Sequence, residues 1–277
     1  MNQERTRAPQ SNGELRPALA LRLPTSDFRP LPSAPHPDNR QLTADNRVKA
    51  LRAFTLIELL IVITIIIILM GLLFPVFNGV QNQAKKVQAK NDLIQIVTAV
   101  NAFYADYGVY PINPAMAGNG YDVEYGNPDN PVHANSEVMN ALRAINDQNG
   151  GPNAGNAVNP RLVTYFGGSP VKDANNPRGG FDSKGEFWDP WGSPSGPSSP
   201  IGHYIINIDA SYDGVTQAYT LGNYSDLTYD TSAGGNGVRA GVIAASLGKD
   251  GSYGTVQGTA PSGDHKYKGS DDVLSWQ

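Results

Sequence analysis

Between Phe54 and Phe77 the chain carries only three polar side chains, Thr55, Glu58 and Thr64. At a rise of about 1.5 Å per residue, about 20 apolar residues cross a hydrocarbon layer of roughly 30 Å, so this run is long enough to span one. It is also apolar on every side, and few water-soluble domains could bury such a helix. Arg47, Lys49 and Arg52 precede it, and no basic residue follows until Lys85. Basic flanks stay on the cytoplasmic side. The sequence therefore predicts a single pass, with the N-terminus cytoplasmic and the remainder across the membrane. A secretory signal peptide would have a shorter apolar core that stops at a small-residue cleavage site. Here the run passes through Gly71-Leu72-Leu73-Phe74-Pro75-Val76-Phe77 and the helical pattern goes on.

Past Pro75 the pattern turns amphipathic. Val80, Ala84, Val87, Ile94, Val97, Val100, Tyr104 and Tyr107 recur at three- and four-residue steps, with Leu93, Ile96 and Phe103 widening the stripe. Lys85, Lys86, Lys90, Asp92 and Asp106 are expected mostly on the opposite, solvated side. Gly108 and Pro111 supply a stop. The reading is one helix from Phe54 to about Tyr107, with 54–77 in lipid and 78–108 packed by one stripe on a distal domain. Gly71 and Pro75 weaken its lipid half and predict a kink there. Glu58 is the costly residue, because a carboxylate in a membrane helix needs a partner.

The string Arg52-Ala53-Phe54-Thr55-Leu56-Ile57-Glu58-Leu59-Leu60 resembles the processing site of type IV prepilins and type II secretion pseudopilins. The resemblance implies that prepilin peptidase cuts between Ala53 and Phe54 and that the new amine is methylated. It also implies that Glu58, the fifth mature residue, pairs with such an amine when subunits stack, and that Pro75 sits at the family's kink position. Glu58, Gly71 and Pro75 are then the assembly residues. Ala53 departs from the glycine the family prefers. The leader, 1–53, is long for this family, rich in Pro and Arg, and expected to be unstructured. A start at Val48 would leave the short basic leader Val48-Lys49-Ala50-Leu51-Arg52-Ala53.

Residues 109–277 read as a loop-rich α+β domain, a small antiparallel sheet against the helix. Ser136–Ile145 is a predicted helix capped by Ser136. Leu162–Phe166, His203–Ile208, Gln217–Leu221 and Val238–Leu247 are predicted strands, with Tyr204, Ile206 and Ile208 on one face. Gly 30 and Pro 21 account for long irregular connections. Three strings resemble the major pseudopilin of type II secretion: Asp106-Tyr107-Gly108-Val109-Tyr110-Pro111, Asp189-Pro190-Trp191-Gly192-Ser193-Pro194, and Ser246-Leu247-Gly248-Lys249-Asp250-Gly251 with Asp271-Asp272-Val273-Leu274-Ser275-Trp276. The last implies calcium held by Asp250, Asp271, Asp272 and backbone oxygens near Leu247, an oxygen-only donor set of the kind that ion takes. The alternative is a polar surface loop. The Trp191 turn reads as structure. Asp209-Ala210-Ser211-Tyr212-Asp213-Gly214 mimics the start of an EF-hand loop, but position twelve is Thr220 where a bidentate Glu belongs, so a hairpin turn is expected.

Enzymatic classes find no support in this reading. There is no Cys, and His36, His133, His203 and His265 are scattered without a triad or metal-ligand pattern. The part after residue 53 holds twelve Lys/Arg against twenty Asp/Glu, the wrong balance for a nucleic-acid partner. The resemblance implies an inner-membrane subunit of a periplasmic filament. Its expected partners are further copies of itself, minor pseudopilins, prepilin peptidase, an assembly platform and lipid. An adhesive, motility or DNA-uptake pilin is the alternative. Major adhesive pilins close their C-terminal region with a disulfide, which this chain cannot form.

Overall fold

Thr55 opens the one long helix among the described residues. The computed structural model describes residues 54–147, 151–193, 196, 198–217, 224–232, 236–254 and 265–277, and of 74–76 the backbone only. The predicted leader 1–53 with Ala53, the side chain of Pro75 and the predicted strand residues 218–221 lie outside the described residues. Helix α1 spans Leu56–Tyr107, 52 residues and thus about 78 Å. Gly108 ends it at φ 70, with its N–H donating to Tyr104 O. This left-handed stop is what glycine permits without steric cost.

The described side chains of the first half of α1 are exposed, and among the described residues it is the one helix long and apolar enough to cross a membrane. A Cβ at Gly71 would meet no atom within 4 Å. The second half carries the domain. Ala89, Leu93, Ile96, Ala99, Val100 and Phe103 are buried in the main core, whereas Val80, Val87 and Ile94 are 61%, 62% and 49% exposed. The expected stripe is therefore corrected. At about 100° per residue, Val80, Ala84, Val87 and Ile94 lie roughly opposite the face that packs. Both sides of the helix are apolar, so a three-and-four spacing drifts from one to the other. The expected solvent side is corrected too, because Lys86, Lys90 and Asp92 flank the packed face and bond to the domain.

A four-stranded antiparallel sheet crosses α1 in the order β1 (Val123–Tyr125), β4 (Ile205–Ile208), β7 (Val242–Ser246), β8 (Val273–Leu274). Two hairpin-like pairs accompany it, β2 (Gly180–Phe181) with β3 (Phe187–Trp188), and β5 (Thr216–Gln217) with β6 (Gly237–Val238). Ile206 pairs with Ala244 and Ile208 with Val242, and alternation turns all four toward the core under α1. Tyr204 joins them there, as expected. Ile205, Ile243 and Ala245 face the other way into a second cluster with Leu247, Tyr224 and Leu274. The sheet is thus buried on both faces and the fold is α+β.

Three expected elements differ. Helix α2 is Ser136–Leu142 and stops before Ile145, since Ala144 turns at φ 57. Its N-cap is Asn135, which makes no capping bond and instead bonds Phe187 N, Phe187 O and Tyr204 O. Residues 162–166 form no strand; Leu162 sits at φ 55, and Tyr165 and Phe166 both donate to Leu142 O. The predicted Val238–Leu247 strand is two short ones, broken before Gly241, where a Cβ would strike the Tyr110 hydroxyl. β1, β2, β3 and β8 are too short for periodicity to reveal.

Candidate functional site

At the start of α1, Thr55 and Glu58 cap each other. The Glu58 N–H donates to Thr55 Oγ1 at 3.2 Å, while Thr55 N and Oγ1 each donate to Glu58 Oε2 at 2.8 Å. This is a capping box, which satisfies helix N–H groups that lack an intrahelical acceptor. Its signature, Thr-x-x-Glu, stands in the sequence at Thr55 and Glu58. Among the described residues, Thr55 is the hydrogen-bond partner of Glu58. Phe54, beside it, is 81% exposed.

The acidic strings at the far end come together. One carboxylate oxygen from each of Asp250, Asp271 and Asp272 lies within 4.8 Å of the other two. Gly248 makes this possible: at φ 71 it brings its backbone against Asp271, where a Cβ would sit 2.5 Å from Asp271 O. Asp271 accepts from the N–H groups of Lys249 and Asp250. Asp272 Oδ2 accepts from Tyr224 Oη and Gly254 N, both at 2.7 Å. Its Oδ1 is buried and has no hydrogen-bond partner among the described residues. Burial pushes the Asp272 carboxyl up to about 6, and the Asp271 and Asp250 charges add to the shift while its donors oppose it. Asp250 is raised in the same way, by burial first and then Asp271. Leu247 buries its side chain in the second cluster, which leaves only its backbone to the loop. Tyr224 and Gly254 had no sequence signal, being distant in the chain from the carboxylate they hold.

An oxygen-only pocket with an orphaned buried carboxylate oxygen fits a hard divalent cation better than a transition metal. The three carboxylates repel one another, and a cation among them would remove that repulsion and satisfy Asp272 Oδ1.

The Trp191 turn is structural and tied to this loop. Asp189 Oδ1 accepts from Trp191 N at 2.9 Å and Gly192 N at 2.8 Å, and Asp189 Oδ2 accepts from Ser246 Oγ at 2.6 Å. Trp191 reaches the main core. The two strings read separately in the sequence are one hydrogen-bonded unit.

In the EF-hand-like string, Asp209 accepts from Ser211 Oγ, Asp213 N and Gly214 N. Backbone donors occupy the oxygens an ion would need, so it is a turn, while Thr220 lies outside the described residues. His133 and His203, scattered in sequence, line one cavity of about 190 Å³ with Glu186 and Lys184. His203 Nε2 stands 3.5 Å from Glu186 Oε2. Burial drives the imidazole down to about 4, and it lifts the Glu186 carboxyl to about 7 with help from Asp182, hydrogen-bonded to it.

Among known families, the Prokaryotic N-terminal methylation motif matches residues 49–74. This is the type IV pilin-like prepilin signal, and it implies processing by prepilin peptidase and pilus-like polymerisation. With the single apolar helix it fits a membrane-anchored, pilin-like protein. No curated protein and no solved structure matches the chain.

Proposed function

We propose that the chain is a structural subunit of a type II secretion pseudopilus, cut between Ala53 and Phe54 and stacked through α1 to drive export of folded proteins. The observation that carries this reading is the convergence of Asp250, Asp271 and Asp272 in the segment that closes the sheet, in a chain without cysteine. A cation loop there does the work a disulfide does in adhesive pilins. Calcium would be held by those three carboxylates with backbone oxygens near Leu247, and its role is to lock β8 and the loop after β7 onto the domain.

On this reading the N-terminus is cytoplasmic and the distal domain periplasmic. After cleavage the Phe54 amine replaces Thr55 as partner of Glu58, which offsets the cost of burying the carboxylate among stacked apolar helices and sets axial register. The outer stripe of Val80, Val87 and Ile94 gives the second half of α1 an apolar face for the same stacking. The subunit works by assembly, with minor pseudopilins and an inner-membrane platform as partners, and catalyses nothing itself.

The test is deletion of the gene in the producing cell. Secreted proteins should accumulate in the periplasm while surface filaments, motility and DNA uptake persist. Normal export with loss of surface filaments would assign the chain to adhesive or motility pilins instead.

A further inference from the structure

The charge on the distal domain is unevenly placed. After residue 53 the chain has twelve Lys/Arg against twenty Asp/Glu. Six of those cations nevertheless gather where α1 leaves the apolar run. A groove of about 520 Å³ between α1 and the closing segment is lined by Lys86, Lys90 and Lys268. Lys86 Nζ donates to Ser270 O at 2.9 Å, and Lys90 Nζ to Leu274 O at 2.7 Å and Ser275 O at 3.2 Å, which fixes both heads at its edge. On the neighbouring side, burial lowers the Lys85 ammonium, Arg178 and Lys249 push it lower, and Asp189 opposes them. Arg178, Lys249 and Lys268 are exposed and come from three separate loops.

Height along the helix decides what this collar faces. Lys85 lies eight residues beyond Phe77, which is about 12 Å at the helical rise. Helical side chains lean toward the N-terminus, here toward the membrane. The headgroup layer adds roughly 5–7 Å beyond the hydrocarbon. The Lys85 stem, leaning back from this level, reaches phosphate depth, while Lys86 and Lys90, held on Ser270 O and Leu274 O, add their charge from the groove. The acids at the same end are Asp189 and Asp272, both buried, Asp250 and Asp271 at the candidate cation loop, and the exposed Asp226, whose carboxylate accepts from the Tyr267 and Lys268 N–H groups.

We propose that Lys85, Lys86, Lys90, Arg178, Lys249 and Lys268 form a collar that seats the unassembled subunit on the phosphate groups of anionic lipids. The proposal rests on the membrane-anchored reading of α1. Each cation held at an anionic surface is worth about fivefold in local affinity, so the three exposed ones dominate the effect. Stacking of α1 into a filament lifts the collar off the surface, which makes headgroup release part of leaving the membrane.

The full chain is reconstituted, with calcium present, in nanodiscs of phosphatidylcholine and in discs with about a third phosphatidylglycerol. Acetylation rates of Lys249 and Lys268 are measured by mass spectrometry relative to Lys184, which lines a different cavity. The expected result is acetylation of both lysines several-fold slower in the anionic discs only, lost in Arg178→Gln/Lys249→Gln when read at Lys268. Equal rates in the two discs would overturn the collar. Inorganic phosphate giving the same protection in phosphatidylcholine discs would also overturn it, in favour of a free-anion site. Amide exchange over 57–70 separates the two readings, since fast exchange there in both discs would remove the membrane anchor and the collar with it, whereas a protected helix with unprotected lysines removes the collar alone.

Discussion

Glu58 is bonded to Thr55 in the structure and is proposed to pair with the Phe54 amine after cleavage, and substitutions can separate the two partners. Removing the cap with Thr55→Val should cost about 1 kcal/mol of helix stability at the N-terminus and leave filament assembly intact. Glu58→Ala should still be cleaved and inserted, but should yield no filaments. Mass spectrometry of the mature N-terminus with electron microscopy of sheared filaments checks both, and filaments at normal yield from Glu58→Ala would refute the amine pairing. Glu186 makes a separate prediction. A carboxyl raised to about 7 in the folded state holds its proton more tightly there than when unfolded. The stability it contributes is present in acid and declines as pH rises from the ordinary carboxylate value through about 7. Asp189, also raised to about 7 by burial, acts with the same sign, and His203, held near 4, opposes both below about 6.5. The melting temperature should be lower at pH 8 than at pH 6, and Glu186→Gln should shrink that difference.

Helix α1 is apolar on two opposite sides, and only one of them is covered by its own chain among the described residues. Ile96 is fully buried under the sheet, so Ile96→Ala should cost about 2–5 kcal/mol. Ile94, two positions away and 49% exposed, should tolerate Ala or Ser within about 0.5 kcal/mol. Thermal unfolding of the two variants decides which side carries the domain, and equal losses would mean that the helix is rotated from the orientation described. Val80, Val87 and Ile94 satisfy helical periodicity as well as Leu93, Ile96 and Val100 do, because the helix is apolar on two opposite faces and its own domain covers one of them. Periodicity reports that a face is apolar and is silent on what covers it.

At the scale of the whole molecule, Ser246 and Asp189 join the Trp191 turn to the acidic loop, so order in one should reach the other. Calcium at about a hundredfold above its dissociation constant would add about 2.7 kcal/mol, a rise of roughly 5–10 °C in melting temperature for a chain of this size. Asp272→Asn and Gly248→Ala should both abolish the rise, the first by removing a ligand charge and the second by forcing Asp271 aside. An unchanged melting curve with calcium and with chelator would eliminate the cation. What the sequence determined alone were the features that depend on neighbours along the chain: the apolar span, the Thr-x-x-Glu start, the Gly108 stop, the processing string, and Tyr204, Ile206 and Ile208 on one strand face. Local patterns settle these because helix and strand geometry repeat over a few residues. The side of α1 that meets the sheet, Asn135 as a bolt rather than a cap, and Tyr224 and Gly254 holding Asp272 were decided only by the tertiary fold. Those contacts join residues far apart in the chain, and no local spacing encodes the distance between them in space.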